Sequence, residues 1–73
     1  MSRSKKTELD ALNFNIEYNK LQIDGVSLSI VDIKDTDKFK LVYNDLTISP
    51  ELNFDSMYGF IFGLATAKEL LTN

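Results

Sequence analysis

The chain has 73 residues, a formal net charge of −3 and neither cysteine nor histidine. Without those two side chains it cannot form a disulfide or the nitrogen- and sulfur-liganded sites typical of zinc, copper and iron. The acidic balance argues against a general nucleic-acid binder. We expect one small domain over residues 1–73, near the lower size limit for a self-supporting core. Such folds usually need a disulfide, a metal or a partner subunit, so the composition favours self-association.

The first seven residues are polar and include a basic cluster formed by Arg3, Lys5 and Lys6. We expect residues 1–7 to be a disordered arm, because polar chain ends without apolar contacts are poorly ordered. The alternative use of the cluster is contact with phosphate groups. No apolar run follows it, so it is not a secretory signal. The longest uncharged stretch of the chain is too short to span a bilayer, and we expect a cytoplasmic protein.

Residues 12–18 alternate between apolar and polar side chains, which is typical of a half-buried strand. A helix beginning at Thr7 is possible for one or two turns, but it would have to end before Phe14. The alternation slips by one residue at Asn19–Lys20, and a slip of this kind predicts a β-bulge.

Asp24–Gly25 is the clearest local signal, because Asp-Gly supplies the two positive-φ positions of a type I′ hairpin turn. The hairpin register is set by this turn. The predicted partners are Ile23 with Val26, Leu21 with Leu28 and Tyr18 with Ile30.

Further strands are predicted over residues 39–43 and 46–48, separated by a tight turn or a bulge at Asn44–Asp45. Pro50 cannot donate a hydrogen bond to a sheet, so we expect the sheet to end there. These elements predict an α+β domain. Its antiparallel sheet has three or four meandering strands, and the C-terminal helix packs on one face.

The C-terminal helix is predicted over about residues 54–72, with Asn53 as its N-cap and Asp55 in its first turn. The expected buried stripe consists of Met57, Phe60, Ile61, Leu64 and Leu71. In the N-terminal half of the helix, Tyr58, Phe62 and Ala65 are apolar too. That half is therefore apolar on two sides, and a single small sheet can cover only one of them.

Gly59 and Gly63 lie four residues apart and so on one side of this helix. Each costs about 1 kcal/mol relative to alanine in a helix, which suggests that another backbone approaches closely. Three interpretations stay open: close packing on the chain's own sheet, contact with a symmetry mate in a homodimer, and a groove for another protein. The predicted interaction residues are Tyr58, Gly59, Phe62, Gly63 and Thr66.

The sequence holds no pattern that predicts catalysis or a cofactor. Its glycines match no phosphate-binding spacing, and it has no histidine base. Asp32, Asp35 and Asp37 lack the glycine and the distal glutamate of a calcium loop. We expect no enzymatic activity, no cofactor, no metal and no small-molecule substrate.

Three functions remain. The first is a small acidic protein–protein interaction module, homodimeric, of the kind a phage or mobile element encodes as an inhibitor or accessory factor. The second is a nucleic-acid-associated factor, or an acidic imitation of DNA. We expect Phe39 and Tyr43 to form an inward-facing aromatic side of their strand, and the alternative is a platform on which bases stack. The lysines and arginine available to it are Arg3, Lys5, Lys6, Lys38 and Lys40. The third is a structural subunit of a larger assembly.

Overall fold

The computed structural model describes residues 4–72, which form two helices and six short strands. The elements are α1 (Lys5–Tyr18), β1 (Gln22–Ile23), β2 (Val26–Ser27), β3 (Ser29–Asp32), β4 (Lys38–Tyr43), β5 (Leu46–Thr47), β6 (Leu52–Asn53) and α2 (Phe54–Thr72). All strand pairs are antiparallel, and α2 packs against the strands. The α+β class is therefore confirmed.

The strands form a two-stranded sheet from β1 and β2 and a four-stranded sheet centred on β4. β3 pairs with one edge of β4, while β5 and β6 pair with different parts of β4. Ser49 lies in the segment between β5 and β6, and its hydroxyl oxygen accepts a hydrogen bond from the Leu41 N–H of β4 at 2.9 Å. The prediction that the sheet ends at Pro50 is wrong, because pairing resumes at Leu52.

α1 replaces the strand predicted over residues 12–18. The Ser4 side chain accepts a hydrogen bond from the Thr7 N–H at 3.1 Å and caps the helix. Leu12 and Ile16 are buried one turn apart, and Leu9 packs beside them. This helical spacing of apolar residues prevails over the alternation of period two.

The N-terminal arm predicted over residues 1–7 is also corrected. Lys5, Lys6 and Thr7 belong to the first turn of α1, and Ser4 is its cap. The remaining part of the predicted arm, including Arg3, lies outside the described residues.

The slip at Asn19–Lys20 is the C-terminal end of α1 and not a bulge. Lys20 has a φ of 52°, its N–H donates to the Glu17 carbonyl at 3.1 Å, and the Leu21 N–H donates to the Ile16 carbonyl at 3.0 Å. This is the Schellman pattern, in which a left-handed residue follows the helix and apolar residues flank it in space. Leu21 and Ile16 are both buried accordingly.

The Asp24–Gly25 turn is confirmed, with φ values of 52° and 82° and Ile23 paired with Val26. Leu28 donates its N–H to the Leu21 carbonyl at 3.0 Å, as the predicted register requires. The pairing of Tyr18 with Ile30 is wrong, because Tyr18 lies in α1. The Asn44–Asp45 turn is confirmed by positive φ values of 50° and 68°.

Both helices contact each other and the four-stranded sheet. β3 and β4 supply inward-facing residues from alternating positions, among them Ile30, Phe39 and Leu41. The buried core of the described chain is Leu12, Ile16, Leu21, Leu28, Ile30, Phe39, Leu41, Met57 and Ile61. Neither helix in the described range combines the length and apolarity that crossing a membrane requires.

Lys5 holds the first turn of α1 to the turn between β3 and β4. Its ammonium nitrogen forms an ion pair with Asp32 and donates to the carbonyl oxygens of Ile33, at 2.8 Å, and Thr36. The same nitrogen lies 5.0 Å from the centroid of the Phe39 ring. A side chain that was expected in a disordered arm thus joins two elements of the fold.

The end of α1 is held in a similar way by α2. The Lys68 ammonium donates to the carbonyl oxygens of Asn19, at 3.0 Å, and Lys20, at 2.9 Å. These carbonyls lie at the negative end of the α1 dipole, where a cation is favoured.

We expect Lys5→Ala to lower the free energy of unfolding by about 1–2 kcal/mol, because it removes charge-assisted hydrogen bonds from a part-buried group. Urea denaturation followed by circular dichroism measures the change. Lys6→Ala is the matched control, since the Lys6 ammonium pairs with Asp10 at 3.3 Å and both side chains are largely exposed. Its expected effect is within about 0.5 kcal/mol. Equal effects of the two substitutions would contradict the role given to Lys5.

Candidate protein interaction surface

α2 presents two neighbouring rows of side chains to solvent, each repeating every four residues. The first row is Tyr58, Phe62, Thr66 and Leu70, and the second is Gly59, Gly63 and Ala67; together they are the outer face of α2. Every one of these residues is exposed, whereas Met57 and Ile61, on the other side of the helix, are buried. All five predicted interaction residues lie on this face.

Large apolar side chains dominate the first row. The exposed fraction is 44 % for Tyr58, 67 % for Phe62 and 74 % for Leu70. Single exposed apolar residues are ordinary on protein surfaces, but a contiguous group marks a candidate interaction site. The sequence Ser56–Ala67 contains no charged residue, so the central part of this face is neutral along its length.

The glycines face open space within the chain. A Cβ atom built on Gly59 or Gly63 would meet no heavy atom within 4 Å outside the local backbone of its own helix. The interpretation that the pair allows close packing of α2 on its own sheet is therefore wrong, because Met57 and Ile61 are the α2 residues buried in the core. The homodimer and the groove for another protein stay open.

The outer face is ordered by contacts within α2 itself. The Tyr58 ring packs against Phe54, with 5.9 Å between centroids, and Phe54 packs on the core. The Thr66 hydroxyl donates to the Phe62 carbonyl at 3.0 Å, which satisfies its hydrogen and leaves a methyl group for a partner. A surface already held in place loses less entropy on binding than a flexible one.

The last turn of α2 differs from its prediction. Leu71 was expected in the buried stripe, yet it is 86 % exposed. Lys68 contacts the carboxyl end of α1, so the residues after it extend beyond that helix. Leu70 was missed by the sequence reasoning, although the four-residue repeat from Tyr58 through Phe62 and Thr66 leads directly to it.

A second exposed aromatic group lies on α1. Phe14 and Tyr18 stack on each other with 6.0 Å between ring centroids, and both are mostly exposed. The strand predicted for this segment would have turned them inward with Ile16. In the helix, Ile16 lies on the buried side and the two rings point away from it.

The expectation that Phe39 and Tyr43 face inward is confirmed for Phe39. Phe39 is fully buried under Lys5, and Tyr43 is half-buried. Lys5 is engaged by Asp32, and the Lys38 ammonium lies 3.7 Å from the Asp37 carboxylate. A buried ring cannot stack on a nucleobase, so Phe39 takes no part in base stacking. The remainder of the nucleic-acid hypothesis stays a prediction.

Residues 4–72 contain no group of three or more acidic side chains placed to hold a metal ion, and no pocket. Comparison of the chain with protein-family models, curated proteins and solved structures found no match. α2 carries more exposed large apolar side chains than any other described element. Its outer face is therefore the candidate functional site.

Gly63→Ala tests whether the outer face is free in the single chain. We expect it to raise the free energy of unfolding of the monomer by about 1 kcal/mol, because alanine is the better helix former and its Cβ meets nothing. Urea denaturation at a concentration where the chain is monomeric measures this. Gly25→Ala is the matched control and should be destabilising, since Gly25 has a φ of 82°. A lower stability of Gly63→Ala would show that another group of the same chain packs against Gly63.

Proposed function

We propose that this chain is a small, non-enzymatic protein interaction module that binds through the outer face of α2, and that it forms a homodimer through this face. The observation that carries the proposal is the exposed row of Tyr58, Phe62 and Leu70, in which Tyr58 and Phe62 lie on a stretch of helix without charged residues. Centres of protein–protein interfaces are depleted of charge and enriched in aromatic residues. Buried aromatic anchors of this kind commonly dominate binding energy.

The balance of buried and exposed apolar residues supports self-association. The described chain buries nine hydrophobic residues, while eleven large hydrophobic residues are exposed. Full burial of one such side chain is worth about 1.5–3 kcal/mol. A domain with so small a core gains stability when a partner covers part of its exposed apolar surface. Small folds without disulfides commonly require such a partner.

In this proposal the chain acts by binding a partner protein through the outer face of α2, and it does not catalyse a reaction. The charged side chains of residues 4–71 lie at least partly in solvent. The setting, an inhibitor or accessory factor of a phage or mobile element, stays a prediction from size and composition.

Sedimentation velocity of Phe62→Glu tests the proposal. At about 100 µM, a concentration suited to micromolar affinity, we expect the unmodified chain to be dimeric and Phe62→Glu to be monomeric. The physical reason is that the substitution places a charge in the centre of the apolar face.

Phe14→Glu is the matched control, because it makes the same substitution on a side chain of nearly equal exposure, 64 % against 67 %. This variant should remain dimeric. An unmodified chain that is monomeric at that concentration would remove the homodimer from the proposal. Loss of the dimer in Phe14→Glu alone would assign the interface to α1.

A further inference from the structure

The four-stranded sheet has an open edge along β3. This strand pairs with β4 on one side, and no second strand pairs with it within residues 4–72. The edge of a sheet presents main-chain N–H and carbonyl groups to which another extended chain can bind as an added strand. The contacts of this edge therefore decide whether the sheet can associate with another molecule.

The pairing of β3 with β4 shows which main-chain groups face outward. In an antiparallel pair, successive residues direct these groups alternately toward the partner strand and away from it. The Ile33 N–H donates to the Lys38 carbonyl at 3.1 Å, so the odd-numbered residues of this segment face β4. The even-numbered residues Leu28, Ile30 and Asp32 face away from β4, and their outward main-chain groups form the β3 edge.

Other parts of the chain already occupy two of these outward N–H groups. The Leu28 N–H donates to the Leu21 carbonyl at 3.0 Å. The Ile30 N–H donates to the side-chain oxygen of Asn13, in α1, at 3.2 Å. The second bond joins residues 17 positions apart in the sequence. A side chain of α1 thus takes the place that a neighbouring strand would have at Ile30.

The opposite edge of the sheet is protected in a different way. From Val42 to Phe39 is three residues along β4, whereas their partners Thr47 and Leu52 are five residues apart. The two extra residues interrupt regular pairing, and Pro50 lies in this segment without an N–H to donate. Bulges and proline are common means by which natural proteins block an edge strand. The β3 edge has no proline.

Asn13 lies in the interior of α1, where asparagine is a poorer helix former than alanine. Its contact with Ile30 gives this position a specific role. We propose that Asn13 closes the β3 edge, so that the chain does not pair strand to strand with a second copy. A strand added at this edge needs the Ile30 N–H, which the Asn13 oxygen occupies. This role is independent of the proposed function, because it does not depend on what covers α2.

Asn13→Ala tests the proposal, with Asn15→Ala as the matched control. Asn15 lies in the same helix, and its side-chain amide donates to the Ala11 carbonyl within that helix at 2.9 Å. Both substitutions are made in the Phe62→Glu chain, so that association through α2 does not enter the comparison. Asn13→Asp is the conservative variant, because its carboxylate keeps an oxygen that accepts from the Ile30 N–H.

We expect the Ile30 amide to exchange its hydrogen about tenfold faster in Asn13→Ala, the change that loss of one hydrogen bond produces. The Leu41 amide, which donates to Ser49 on the other side of β4, is the internal reference and should not change. In sedimentation velocity at about 100 µM, a concentration suited to micromolar affinity, Asn13→Ala should associate. Asn15→Ala and Asn13→Asp should remain monomeric.

Equal protection of the Ile30 amide in Asn13→Ala and Asn15→Ala would overturn the proposal. An Asn13→Ala chain that exposes this amide and still does not associate would overturn it too. Faster exchange at both Ile30 and Leu41 would show that Asn13 stabilises the whole fold, which would overturn a role specific to the edge. Association of the Phe62→Glu parent would contradict the proposed function instead, because exchange at Ile30 reports on Asn13 directly.

Discussion

The main constraint on this structure is that a single layer of protein can bury only one side of α2. The helix has apolar residues around most of its circumference between Met57 and Ala65, and the sheet together with α1 covers one side. Met57 and Ile61 fill the core, while Phe62 remains largely in water. The chain cannot correct this by turning the helix, because the opposite face carries glycines that would leave the core without side chains. A second surface is the remaining way to remove the outer face from water.

The remainder of the fold holds α2 in this position. Lys68 reaches across to the last carbonyls of α1, and Lys5 attaches the first turn of α1 to the turn after β3. Asn53 caps α2 directly after β6, with its side-chain oxygen accepting from the Ser56 N–H at 2.9 Å. The outer face is therefore presented on a helix fixed near both ends, and binding to it requires little further ordering.

Local signals predicted the parts of the fold that depend on local chemistry. Asp24–Gly25 and Asn44–Asp45 adopt the positive φ values that tight turns need, and α2 begins after its predicted cap. α1 was missed because Leu12 and Ile16 fit a strand of period two as well as a helix. Tertiary packing decides between such patterns, and in this fold Leu9 packs against the core beside Leu12 and Ile16.

The candidate site was predictable to a similar degree. The uncharged stretch and the Gly59/Gly63 spacing predicted five of the seven residues of the outer face, whereas the direction in which the glycines point depends on which side of α2 the sheet occupies. The exposure of Leu71 could not be predicted either, because it depends on where α1 ends relative to α2. The sequence predicted Lys5 to lie in a polar arm. Its role could not be predicted, because it depends on the carbonyl groups of Ile33 and Thr36, which are distant in the sequence.

The most direct measurement is a dilution series of the ¹⁵N-labelled unmodified chain followed by amide chemical shifts, from about 500 µM to about 10 µM, a range that brackets micromolar association. If the outer face of α2 is covered by a second copy, the amides of Tyr58, Gly59, Phe62, Gly63 and Ala67 will shift with concentration and those of Phe14 and Tyr18 will not. Spectra that do not change across the series, or changes confined to α1, would contradict the proposal that a second copy of the chain covers α2.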